Sequence, residues 1–107
     1  LTEKDVTHGD IIVRARPIGG LRLLDHNQAD DKIVAVLKND AVYGLYNDIE
    51  ELPLNITRRL IHYFTTYKDI PGETKRRMQF ISIYGADVAK DVIRRSMEDY
   101  QELISKQ

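Results

Sequence analysis

The chain of 107 residues contains no cysteine, so a disulfide framework and a thiolate metal site are both excluded, as fits a reducing compartment. It also has almost no net charge: sixteen Lys and Arg face seventeen Asp and Glu, leaving −1 with His neutral. A dedicated duplex-DNA binder carries a clear positive excess, so that class is disfavoured. No apolar run approaches the length of a membrane span, and the charged opening from Leu1 to Asp10 lacks the apolar region of a leader. What is present is an ordinary globular balance, 42% hydrophobic and 31% charged, without internal repeat or low-complexity tract. The length suits one domain over residues 1–107, and a domain of that size buries roughly 65% of its unfolded surface. The chain opens on Leu1 rather than Met, so the expectation is that a short piece was removed or that this is the C-terminal part of something longer.

Ile11, Val13 and Ala15 alternate with Ile12, Arg14 and Arg16, the period-two pattern of a strand. Pro17 and Gly19-Gly20 should then bend or bulge it before Leu21, Leu23 and Leu24 resume the apolar pattern. A polar loop is expected from Asp25 to Lys32, followed by a well-buried strand over the continuous apolar run Ile33 to Leu37. Residues 38 to 51 read as a surface excursion. Pro53 suits the first turn of a helix, whose stripe of Ile56, Leu60, Phe64 and Tyr67, widened by Ile61 and Tyr63, runs to about Lys68. Pro71-Gly72 stops that helix. Met78, Phe80, Ile81 and Ile83 form a further strand. Gly85 starts a last helix with Asp87 in its first turn and an inner face of Val88, Val92, Ile93, Ser96, Tyr100, Leu103 and Ile104. The order of strands, helix, strand, helix is α+β with an antiparallel, strongly curled sheet.

The densest chemistry lies in Leu24-Asp25-His26-Asn27-Gln28-Ala29-Asp30-Asp31-Lys32-Ile33-Val34-Ala35-Val36. Hard cations such as Mg²⁺ take oxygen ligands, commonly one or two carboxylates plus phosphate oxygens, and a lysine beside them can hold a phosphate as a point charge. On charge density alone the bland reading, a solvated polar turn, is favoured. An EF-hand is excluded, because Asp30 stands where that loop needs Gly and Val36 where it needs Glu.

Gly-Asp-Ile-Ile-Val-Arg-Ala-Arg-Pro-Ile-Gly at residues 9 to 19, followed by Leu-Asp-x4-Asp-Asp-Lys-Ile-Val-Ala-Val, closely resembles the soluble family I inorganic pyrophosphatases. The likeness continues through Asn47-Asp48-Ile49, Leu52-Pro53, Ile61-His62-Tyr63-Phe64 and Tyr67-Lys68-Asp69, and returns in Ala86 to Ile93. It implies part of an OB-like antiparallel β-barrel with two flanking α-helices, and metal-dependent hydrolysis of pyrophosphate to two phosphates. It further implies that Asp25 and Asp30 bind metal, Mg²⁺ being the expected cofactor, and that Lys32, Tyr67 and Lys68 bind the substrate phosphates. His62 matches a histidine near the subunit interface of bacterial members. The implied setting is a cytoplasmic homo-oligomer, hexameric in bacterial relatives of the full-length enzyme, with no nucleic-acid or membrane partner. Asp31 is left out, because on an extended strand it points away from Asp30.

The departures concern what lies upstream. Members carry an Asp-x-Asp-Pro-x-Asp motif that supplies metal-bridging carboxylates and orients the attacking water; here the nearest match, Glu3-Lys4-Asp5, lacks its spacing and its proline. The resemblance therefore implies a C-terminal portion that holds one side of the active site and is inactive alone. The alternative is a non-catalytic binding or association module built on the same fold. Lost upstream strands would leave open sheet edges, so the fragment is expected to dimerise through an edge or to be marginally stable. Leu37, His26 and Ile83 also depart from the family, and of these only His26 lies near the metals. The basic groups Arg58-Arg59, Lys75 to Arg77 and Arg94-Arg95 are interleaved with acids and read as solvated faces, and His8 as a solvated loop residue. No glycine-flanked serine suggests a nucleophile elbow.

Overall fold

A computed structural model describes residues 1–3, 13–66 and 78–106. The expected strand start at Ile11, the helix end at Tyr67-Lys68, Pro71-Gly72, the basic run 75–77 and His8 lie outside those residues. Among the described residues strand β1 (Ala15–Asp25) is central in a three-stranded antiparallel sheet, with β2 (Gln28–Leu37) on one side and β3 (Met78–Gly85) on the other. Helix α1 (Leu54–Thr66) lies between β2 and β3 in sequence, and α2 (Ala86–Ser105) follows β3 directly. The α+β class and the antiparallel sheet flanked by two helices agree with the sequence.

Pro17 and the glycine pair act as expected: the β1–β2 register shifts between Pro17 and Gly19 while the strand continues. The polar loop proves shorter than expected. It is a two-residue turn, His26-Asn27, with φ of 52° and 67°, and residues 28 to 32 already belong to β2. Two positive φ values define the hairpin turn whose twist matches the strands, and His and Asn are among the residues that tolerate them. Asp30 and Lys32 thus stand on a strand, where alternation fixes their direction.

One sheet face carries the core: Ile18, Leu21, Leu23, Val34, Val36 and Met78, joined by Ile49 from the 38–51 excursion and by Leu52 directly after it. Ile56, Leu60, Ile61 and Phe64 of α1 pack against this cluster, whereas Tyr63 is 57% exposed and falls off the expected stripe. Pro53 precedes α1 rather than lying in it; its carbonyl accepts from Ile56 N at 2.9 Å. The run Ile33 to Leu37 is not buried on both sides: Val34 and Val36 are buried while Ile33 faces outward, because α2 packs against β1 and β3 rather than over β2. In β3 only Met78 is buried, and Phe80, Ile81 and Ile83 remain partly exposed. The inner face of α2 is also narrower than expected, with Ala86 and Ala89 its buried residues.

The excursion is anchored by polar contacts. Arg16 donates from Nε to the Tyr46 carbonyl at 3.1 Å and from its terminal nitrogen to the Gly44 carbonyl. Asp40 accepts from Val42 N at 3.1 Å and Tyr43 N at 2.8 Å. Asp48 caps the short 3-10 turn Ile49–Glu51, with Glu51 completing a reciprocal capping box. Its other oxygen accepts from Ala86 N at 3.0 Å, so one carboxylate also ties down the first donor of α2. That bond, with the one from Glu50 N, holds the Asp48 carboxyl below its ordinary pKa. A carboxyl lowered in the folded state stabilises above its unfolded pKa and loses that contribution as pH falls through the folded value. Asp48→Ala is expected to cost about 1 kcal/mol near neutrality, as lost caps do. Urea titrations compared at neutral and acid pH check it, the gap between the proteins narrowing in acid.

Candidate functional site

In the β1–β2 register Asp25 opposes Gln28, Leu23 opposes Asp30 and Leu21 opposes Lys32. Directly opposed residues share a face, as do alternate residues of one strand. Asp25, Asp30 and Lys32 therefore lie with Leu21 and Leu23 on the core face, gathered toward the turn end of the hairpin. Asp25 and Asp30 are diagonal neighbours, a relation that sets residues about 7–8 Å apart. The face is apolar under α1 and becomes polar where the hairpin projects.

Lys32 Nζ stands 3.1 Å from Asp30 Oδ1, each side chain 29% exposed. The same ammonium lies 5.9 Å from the ring centroid of Phe64 on α1. Phe64 thus brings the last turn of α1 to the site; Tyr67 and Lys68, three and four residues further on, lie outside the described residues. Asp25 is half-buried, with Oδ1 3.7 Å from His26 Nε2. His62 lies elsewhere, in an open groove along α1 that Tyr43, Asn55, Ile56, Arg59 and Tyr63 also line.

A hard divalent cation fits the donor chemistry of this face. Two carboxylates offer oxygen ligands at partly shielded positions, within the range Mg²⁺ uses when phosphate and water complete its shell. No group of three or more His, Asp or Glu able to hold a metal occurs among the described residues, so the fit is to a shared cation rather than to a protein cage.

Asp31 does point the other way. On the reverse face it accepts from the Tyr84 hydroxyl at 3.0 Å and lies 3.9 Å from Arg22 Nε, while the Arg22 guanidinium sits 5.3 Å from the Tyr84 ring centroid. Tyr84 opposes Gly20 across β1–β3, and a Cβ at Gly20 would come within 2.5 Å of its ring. This trio spans all three strands directly behind Asp30 and Lys32. Sequence reading missed it, because only the paired registers bring Arg22, Asp31 and Tyr84 together. Burial, reinforced by the Asp31 carboxylate, pushes the Tyr84 phenol up to about 12. A raised pKa stabilises fully below the unfolded value near 10, and the contribution is lost as pH climbs through the folded value. The folded chain is therefore expected to weaken between about pH 10 and 12. Tyr84→Phe should remove that step and cost about 1 kcal/mol at neutral pH. Thermal unfolding against pH, with the phenolate absorbance followed in parallel, is the check.

The hairpin defines an α+β protein in which two carboxylates able to take a hard cation share a face with a phosphate-capable lysine. Residues 1–101 match the family model described as inorganic pyrophosphatase, and the chain belongs to that family. The inorganic pyrophosphatase of Chlamydia muridarum is 46% identical over 96% of this chain, and that of Picrophilus torridus 31% identical over 91%. The chain spans about half the length of these relatives, 51% and 53%. The crystal structure of an inorganic pyrophosphatase from Neisseria gonorrhoeae superposes with a TM-score of 0.80 at 31% identity, covering 94% of this chain and 57% of that one. The enzyme from Thermus thermophilus superposes with a TM-score of 0.82 over the same shares at 22% identity, a likeness of fold.

Proposed function

We propose that this chain supplies one side of a metal-dependent site for the hydrolysis of inorganic pyrophosphate. In this reading Asp25 and Asp30 hold a divalent cation, Mg²⁺ by chemical preference, and Lys32, with Tyr67 and Lys68, holds substrate phosphate. The observation that carries the reading is the placement of Asp25, Asp30 and Lys32 on one hairpin face, with Lys32 Nζ 3.1 Å from Asp30. Pyrophosphate is densely charged, so a nucleophile approaching phosphorus is repelled until that charge is offset. A bound divalent cation offsets it and lowers the pKa of a coordinated water. Lys32 contributes a compact positive charge to the phosphoryl oxygens, and the partly shielded face strengthens that attraction relative to bulk water. Lys32 is also held by Asp30 and Phe64, which limits the conformational freedom it loses on meeting phosphate. In the overall reaction water oxygen bonds to phosphorus as the bridging P–O bond breaks, giving two phosphates.

The same reading makes the protein a cytoplasmic enzyme that works as a homo-oligomer, with the groove at His62 as a contact between copies. Among the described residues no helix is long and apolar enough to cross a membrane. The 107 residues alone hold one side of the site and are expected to release no phosphate from pyrophosphate with Mg²⁺. Adding the upstream portion that the relatives possess should restore release. Mg²⁺-dependent release by the 107 residues alone, lost in Asp30→Ala, would show the site to be complete and the half-site reading wrong.

Lys32 gives a second check of opposite sign in two titrations. It competes with a cation for Asp30, so Lys32→Ala should tighten Mg²⁺ binding severalfold in the absence of phosphate. It should weaken pyrophosphate binding in the presence of Mg²⁺ by about tenfold, the scale of one charge-assisted contact. Calorimetric titration reads both, and a change of the same sign in each would remove Lys32 from the phosphate-binding role.

A further inference from the structure

Behind the hairpin site lies a contact that the hydrolytic reading does not use. Tyr84 on β3 opposes Gly20 on β1, and Asp31 on β2 opposes Arg22 on β1, all on the reverse face of the sheet. Strands β2 and β3 are separated by β1, about 10 Å across two strand spacings. The Tyr84 hydroxyl nevertheless donates to Asp31 Oδ2 at 3.0 Å. It reaches that far because Gly20 has no side chain: a Cβ there would stand 2.5 Å from two ring carbons and 2.6 Å from the hydroxyl oxygen. The ring lies across β1, and the Arg22 guanidinium sits over it, 5.3 Å from the centroid.

We propose that Tyr84 is a positioning residue for the cation and phosphate site: through Asp31 it fixes the roll of β2, so that Asp30 and Lys32 stay turned to the core face. The proposal rests on the assignment of Asp30 and Lys32 to that site. Among the described residues β2 pairs on one side only, with β1. A strand held along one edge can roll about that edge unless its faces are packed. From Val34 onward the core face is packed, Val34 and Val36 being buried in the apolar cluster. Toward the turn that packing gives way to Lys32 and Asp30, each side chain 29% exposed. On the reverse face an open groove, lined by Leu24, Ala29 and Asp31 of the hairpin and by Val92 and Ser96 of α2, separates this stretch from the helix. Among the described residues apolar packing therefore restrains β2 on neither face at residues 30 to 32, and the bond from Tyr84 supplies the restraint. Asp31 lies between Asp30 and Lys32 and points opposite to both, so a roll that lifts Asp31 from Tyr84 swings the other two side chains the opposite way. Fixing Asp31 fixes them together, which spares part of the ordering cost when a cation or phosphate binds.

Titration of the 107-residue chain with Mn²⁺, followed by water-proton relaxation at a temperature where dichroism shows every variant folded, tests the proposal. Tyr84→Phe keeps the ring over Gly20 and removes only the hydroxyl. It should weaken Mn²⁺ binding by about fivefold, the scale of one net hydrogen bond. Asp31→Ala should do the same, and the double variant Y84F/D31A should lose no more than Asp31→Ala alone, because both remove one contact. Asp31→Asn keeps an acceptor for the hydroxyl and should bind within about twofold of the parent. Asn and Ala both lack the charge, so the difference between them isolates the hydrogen bond from the field of the carboxylate. Asp48→Ala, which loses comparable stability at the far end of the sheet beside Gly85, should bind as the parent does. Parental affinity in Tyr84→Phe, with weak binding by Asp30→Ala, overturns the positioning role and leaves the metal site standing. So does a loss in Asp31→Asn equal to that in Asp31→Ala, or a fivefold loss in Asp48→Ala. A parent that binds Mn²⁺ no better than Asp30→Ala does overturns the metal site, and this proposal with it.

Discussion

Asp30→Ala is expected to abolish divalent-cation binding at the hairpin, weakening it by at least a hundredfold, more than the loss of a supporting group behind a ligand. The pair of acids gives a hard cation the only carboxylates that the hairpin sets on this face, and losing one leaves a single carboxylate to compete with hydration. The substitution has a further consequence, because Lys32 loses its partner at 3.1 Å and its charge becomes available to phosphate. The variant should therefore keep some affinity for pyrophosphate while losing its dependence on Mg²⁺. Asp31→Asn is the matched control: same strand, adjacent residue, opposite face, engaged with Tyr84 and Arg22. Paramagnetic titration with Mn²⁺ distinguishes them. Equal losses in the two variants would mean that general negative charge, rather than the face shared by Asp25 and Asp30, draws the cation.

Gly19→Ala should produce the largest loss of stability among single-methyl additions to the sheet. Gly19 is buried where β1 bulges away from the β2 register and meets β3 opposite Gly85. An added Cβ would stand 2.5 Å from the Tyr84 carbonyl oxygen and 2.7 Å from Ile49 Cγ2. A rotamer change moves Ile49 Cγ2 but not Ile49 Cβ at 2.8 Å, and the carbonyl belongs to β3 backbone, so relief requires the central pairing to open. Overpacking of this kind costs about 1–3 kcal/mol, and the value here should fall toward the top of that range. The midpoint of urea unfolding should drop with the slope unchanged. Trimming Ile49 to Ala in the same protein should not restore stability, since the backbone clash persists. A Gly19→Ala protein as stable as the parent would contradict the close approach of the strands.

The two positions mark the boundary between what the sequence determined and what tertiary structure decided. Alternation and turn residues suffice for the existence and order of strands, helix, strand and helix, for the bulge at Pro17 to Gly19, and for the start of α2 at Gly85, because these are local preferences of backbone and side chain. The separation of Asp30 from Asp31 was legible for the same reason, since neighbours on a strand face opposite ways. The motif around Asp25, Asp30 and Lys32 made the family legible, and the match over residues 1–101 shows it.

Local reading failed where pairing decides. The polar stretch from Asp25 to Lys32 looks like a loop until β2 pairs through it and reduces the turn to His26-Asn27. The run Ile33 to Leu37 looks buried on both sides because hydrophobicity alone does not reveal a strand's place in the sheet. The long inner face assigned to α2 outruns the sheet that covers it, since periodicity gives a stripe and not the extent of its partner. The trio of Arg22, Asp31 and Tyr84 and the bond from Ala86 N to Asp48 join residues 9 to 53 positions apart. No local preference encodes such contacts; they exist only when two registers and a helix start are set together.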